Sequence, residues 1–194
     1  MAEPARRLWS LEEFLAFDDG MDTRYELFDG QILAMAPASD VHGALVMRLA
    51  RRIGNALRPG CEVIGEAGIV PPERVDSYYL ADLVVTCAGL TGQQFVAEPI
   101  LIVEVLSPST AATDRERKLP DYRTIPSLED ILVVSSTEPR IEHYRREGDG
   151  WKIRDLRGQG TLRVPAFEVA IDLAELYAGV LTPAGAQAEG SAGP

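Results

Sequence analysis

Ile100-Leu101-Ile102-Val103-Glu104-Val105-Leu106 is apolar except for one acid, and Tyr79-Leu80-Ala81-Asp82-Leu83-Val84-Val85 repeats the arrangement earlier in the chain. Continuous apolar runs of this length read as strands buried inside a sheet, which requires helices to cover its faces. A mixed α/β (α+β) fold follows. A carboxylate inside such a strand is strongly disfavoured unless it is paired, hydrogen-bonded or bound to a metal, so two on neighbouring strands suggest a shared cation. Carboxylate oxygens with open water positions suit Mg²⁺ or Mn²⁺. For either acid alone, a strand-end residue accepting from an Arg or a backbone N–H is the commoner arrangement. Both together, followed by Lys118 on the next helix, shift the balance. Phosphodiester hydrolysis needs activated water and a cation near the developing charge.

Working outward, a helix is expected over about Thr110 to Arg123, with Pro120 shortening or kinking it. The apolar strand Ile131 to Ser135 follows. Before the two acid-bearing strands lies Glu62 to Val70, also strand-like. Ser39 is an N-cap for the main helix, whose apolar Val41, Leu45, Leu49, Ile53 and Leu57 recur every four positions until Pro59-Gly60 stops it. Ser10-Leu11-Glu12-Glu13 has capping-box spacing and starts a short helix ending near Asp18. Arg24 to Phe28 and Gln31 to Ala36 flank Asp29-Gly30, a hairpin turn. A second, more polar hairpin, Arg140 to Arg146 and Trp151 to Leu156, is expected at a sheet edge, before a short acidic helix near Asp172 to Tyr177.

A length of 194 residues suits one domain, placed at 1–181, with an Ala-, Gly- and Pro-rich tail, 182–194, expected to be disordered. No apolar run approaches the roughly 20 residues that span a bilayer, and Met1 to Leu8 is not followed by a signal-peptide core, so a cytoplasmic protein without membrane contact is expected. Cys61 and Cys87 lack metal-type spacing and read as small buried thiols. The formal charge of −11 disfavours tight non-specific binding to phosphates, although local charge at a cleft decides the matter.

Arg24-Tyr25-Glu26-Leu27-Phe28-Asp29-Gly30, Ala81-Asp82-Leu83-Val84-Val85, and Val103-Glu104-Val105-Leu106-Ser107-Pro108-Ser109-Thr110 followed by Asp114 and Lys118 resemble the Uma-two family of restriction-endonuclease-like proteins. That family belongs to the PD-(D/E)xK nuclease-like superfamily, and the likeness covers about Leu11 to Leu176. It implies a restriction-endonuclease-like core, a mixed central sheet flanked by helices, with Asp82 and Glu104 as metal ligands and Lys118 as the catalytic lysine. Leu106 stands where the superfamily usually has that lysine, two residues after the glutamate, so Lys118 must reach in from the helix. Ala81 replaces the usual proline.

The resemblance makes Glu26 an additional ligand or a residue that orients water, with a cross-strand partnership to Arg24 or Gln31 equally open. His42 falls where the family often has histidine or glutamine and could contact substrate, although a lone helical His is more often just partly exposed. Ser107 and Ser109 read as helix caps, Tyr122 and Trp151 as packing residues. The implied function is Mg²⁺-dependent hydrolysis of nucleic acid, DNA in particular, by a homodimer whose polar hairpin offers a pairing edge. The alternative is a non-enzymatic member of the same fold that binds nucleic acid or protein. Lys118→Met is expected to abolish cleavage with folding and Mn²⁺ affinity nearly unchanged.

Overall fold

In a computed structural model of the chain, residues 7–21, 23–108 and 111–181 are described. The expected disorder at 182–194 and the capping role of Ser109 lie outside these residues.

Six strands form the central sheet in the order β3-β4-β5-β6-β7-β8. They are β3 (Glu62–Ile69), β4 (Tyr79–Thr86), β5 (Pro99–Leu106), β6 (Asp130–Ser135), β7 (Arg140–Glu147) and β8 (Gly150–Arg157). Only β5 and β6 run parallel. A parallel pair needs a crossover, and here the connection carries the helical stretch that begins at Ala111. As expected, the acid-bearing β4 and β5 are interior strands, and the polar hairpin β7–β8 ends at an edge.

The side chains of β4 and β5 alternate between two cores. Leu83, Val85, Leu101, Val103 and Val105 face helix α2 (Asp40–Gly54), helix α5 (Leu173–Tyr177) and the two-stranded sheet of β9 (Thr161–Val164) and β10 (Val169–Asp172). Ala81, Val84, Ile102 and Leu106 face Leu119, Tyr122, Ile125 and Leu128. This double burial is why both strands read as unbroken apolar runs. The sequence reading did not foresee β9 and β10, whose four-residue lengths are too short for a periodicity to show.

Helix α2 starts at Ser39, whose Oγ accepts from the His42 N–H at 3.2 Å. It ends at Gly54, earlier than Pro59-Gly60, because Gly54 and Asn55 are poor helix formers and the chain there turns through Ala56 and Leu57. The capping box of α1 (Leu11–Leu15) is formed in both directions. Asp29 and Gly30, with φ of 48° and 75°, make the turn between β1 (Tyr25–Phe28) and β2 (Gln31–Ala34). This hairpin docks through reciprocal hydrogen bonds between Leu27 and Tyr78, both 2.8 Å, which set Glu26 beside the start of β4.

The crossover is α3 (Ala111–Thr113), a π-helical turn (Asp114–Lys118) and α4 (Leu119–Tyr122). The Leu119 N–H donates to Asp114 O, five residues back. Pro120 then falls in the first turn of α4, where its missing N–H costs least. The widened turn, rather than a sharp kink, accommodates the proline.

Cys61 and Cys87 form a disulfide with Cα atoms 4.0 Å apart, which corrects the reading of two free thiols. They lie one position beyond the Glu62–Thr86 pair at the end of the β3–β4 ladder. Register alone decides that they meet.

Candidate active site

Glu104 and Asp82 sit one register step beyond the Leu83–Val103 pair, on adjacent antiparallel strands. Asp82 Oδ2 accepts from the Val105 backbone N–H at 2.6 Å, so its side chain leans across to β5. Its carboxylate also lies 3.2 Å from His42 Nε2. That hydrogen bond is the main cause raising the His42 pKa, against burial and with help from the Asp82 charge. His42 therefore holds Asp82 from the start of α2 and is not merely part of an exposed helix face.

Lys118 lies at the centre of the remaining acids, only 4% exposed. Its Nζ is 2.8 Å from Glu26 Oε1, 3.2 Å from Asp114 Oδ1 and 3.6 Å from Glu104 Oε1, and it donates to Leu80 O at 3.3 Å. Burial works against its charge, but Glu104, Glu26 and Asp114 outweigh it and hold the ammonium pKa above its ordinary value. The expected reach of this lysine over the sheet toward Glu104 is present.

Glu26 also accepts from the Leu80 N–H at 2.8 Å, so it ties the β1–β2 hairpin to β4 and to Lys118 together. Arg24 pairs instead with Glu66. Glu66 has φ +50° and lies between the Gly65–Leu83 and Ala67–Ala81 pairs, thus opposite Asp82. Such a conformation is uncommon for glutamate.

Glu104 is almost fully buried, and burial pushes its carboxyl well above the usual range. The charges of Asp114 and Asp82 add to that shift, while Lys118 and a hydrogen bond from Tyr122 oppose it. The Tyr122 hydroxyl donates to Glu104 Oε1 at 2.6 Å. Sequence reasoning took Tyr122 for packing only. Its spacing of four after Lys118, itself four after Asp114, was the available signal, since the helix brings all three over the same acid. Trp151 does pack, against the same core and beneath Arg146.

Three carboxylates, Glu26, Glu104 and Asp114, thus surround one ammonium, and a fourth, Asp82, is held beside Glu104 by His42 and the Val105 N–H. Buried carboxylates that outnumber their cationic partners are neutralised by protons or by a divalent cation, and hard carboxylate oxygens suit Mg²⁺ or Mn²⁺. Asp82 and Glu104 could hold it. Among the described residues no three His, Cys, Asp or Glu side chains are arranged to hold a metal ion. Such an ion would complete its shell with water or substrate oxygens, as Mg²⁺ commonly does.

Residues 11–174 match the model of the Uma2 family, described as "Putative restriction endonuclease". The chain belongs to the Uma2 family. Two uncharacterized proteins of Synechocystis are similar along nearly their whole lengths. One, slr1290, is 34% identical over 88% of this chain and 92% of its own; the other, sll1609, is 30% identical over 82% and 93%. The fold is shared with the crystal structure of "a putative nuclease belonging to DUF820" from Anabaena variabilis. There the TM-score is 0.72 at 17% identity, over 89% of this chain and 99% of that one. The chain shares that protein's fold, a mixed six-stranded sheet flanked by helices. No helix among its described residues is long and apolar enough to cross a membrane.

Proposed function

We propose that this Uma2 protein is a cytoplasmic endonuclease that hydrolyses phosphodiester bonds of nucleic acid, DNA in particular, with Mg²⁺ or Mn²⁺ held by Asp82 and Glu104. The observation that carries the reading is the buried Lys118 ammonium, set between Glu26 and Glu104 beside the strand that bears Asp82. A lysine this buried among acids is costly to build and is most useful where negative charge develops.

The bound cation would supply Lewis acidity toward the phosphate and lower the pKa of water. Lys118, kept charged, would steady the developing charge or position the attacking water. Asp114 and Glu26 hold its ammonium in place. His42 and the Val105 N–H fix the carboxylate of Asp82. Family membership supports the reaction class, and the fold shared with the "putative nuclease" of Anabaena variabilis supports the scaffold.

The net charge of −11 favours a second reading, a catalytically inactive nuclease fold serving as an interaction module. Purified protein with Mn²⁺ is offered single- and double-stranded DNA and RNA while metal binding is followed by calorimetry. Cleavage that Asp82→Asn and Glu104→Gln abolish supports the enzyme. No cleavage of any form would leave the interaction module.

A homodimer belongs to the same reading, because cutting a duplex takes two sites and β8 is an outer strand of the sheet with Ile153 exposed. A monomer by light scattering at micromolar concentration would remove it.

A further inference from the structure

The Glu104 side chain has three torsions and a buried setting, so something must choose which way its two oxygens face. Both donors near it converge on one of them. The Tyr122 hydroxyl is 2.6 Å from Oε1 and the Lys118 ammonium 3.6 Å from the same atom. Tyr122 is itself fixed. Its ring is 1% exposed, packs edge-on against Tyr79 with centroids 5.9 Å apart, and lies among Leu119, Ile125 and Leu128.

We propose that Tyr122 is a positioning residue for the metal site: its hydroxyl holds Oε1 of Glu104 and so leaves the other oxygen for a divalent cation shared with Asp82. This rests on the metal reading above and names what orients one of its two ligands. With its ring buried in the core the phenol has no bulk water to turn to, and the bond to Glu104 satisfies its hydroxyl. The partner hydrogen bonds behind metal ligands commonly matter this much, with losses of about 10- to 100-fold in metal affinity on removal.

Tyr122→Phe keeps the ring and its packing and removes one oxygen. Calorimetric titration of the full-length protein with Mn²⁺, without nucleic acid, should show binding weakened about 10-fold or more, with the thermal midpoint close to that of the unaltered chain. Where cleavage is measured, kcat should fall with KM for nucleic acid little changed. Tyr79→Phe, which removes a different hydroxyl from the same core, should leave Mn²⁺ affinity as it was. Unaltered affinity in Tyr122→Phe would overturn the proposal while sparing the metal reading. Equal losses in both variants would assign the effect to packing and overturn it too. Failure of the unaltered protein to bind Mn²⁺ would overturn the metal reading and this inference together.

Discussion

Lys118 Nζ lies closer to Glu26 Oε1, at 2.8 Å, than to Glu104 Oε1, at 3.6 Å. The lysine of the helix is therefore shared between the hairpin and the sheet, and three separate pieces of chain depend on one ammonium. Removing it leaves Glu26, Asp114 and Glu104 buried without their cation. Breaking a buried charge pair by deleting one partner costs about 3–5 kcal/mol. Lys118→Met should lose about that much stability in metal-free protein by urea unfolding, together with cleavage. This revises the expectation of nearly unchanged folding, which did not foresee that Glu26 and Asp114 are buried against the same ammonium. A variant as stable as the parent would show that the ammonium is dispensable to the fold.

Glu142 on β7 is buried and accepts from Arg115 and Tyr144, while Arg140 Nη2 lies 2.6 Å from its other oxygen. Burial raises its pKa, but the Arg115 and Tyr144 hydrogen bonds and the two arginine charges outweigh it and hold the carboxyl below its ordinary value of 4.5. A depressed folded-state pKa contributes stability that is present above the unfolded value and lost as pH falls through the folded one. Glu142→Gln should therefore be less stable than the parent at neutral pH, the gap closing as pH drops below about 4.5. A gap that stays constant across the acid range in urea unfolding would assign the effect to packing.

The Cys61–Cys87 disulfide closes a loop spanning a sequence separation of 26. In the chain-entropy account such a loop contributes about 3.5 kcal/mol, and reduction or paired Cys61→Ser and Cys87→Ser substitution should lower stability by up to that amount. Reducing compartments seldom sustain such bonds, so thiol labelling of protein taken directly from cells reports whether the cross-link exists there. The site residues do not touch it, and Mn²⁺ binding should survive reduction. Loss of binding on reduction would contradict that separation.

Gly68 on β3 has no room for a side chain: an added Cβ would collide with the Tyr78 hydroxyl and with Gln94 O, which hydrogen-bond to each other at 2.7 Å. Gly68→Ala should cost about 1–3 kcal/mol by forcing that pair apart. Thermal unfolding checks this, and a neutral variant would mean that the Gln94 segment yields easily.

What the sequence by itself determined were the features written in short stretches of chain. Apolar runs placed β4 and β5 inside a sheet, Ser10 and Ser39 began their helices, and Asp29-Gly30 made its turn, because each rests on contacts within a few residues. The resemblance singled out Asp82, Glu104, Lys118 and Glu26, and the structure brings all four within one neighbourhood. Only the tertiary structure decided their partners. Strand register put Asp82 beside Glu104 and Cys61 against Cys87. The π-turn carried Lys118 and Tyr122 over the sheet, and the placement of α2 brought His42 to Asp82. These are contacts between residues far apart in the chain. Their free energy is settled when whole faces dock, and nothing in the local pattern of a tyrosine or a histidine says which buried acid it will meet.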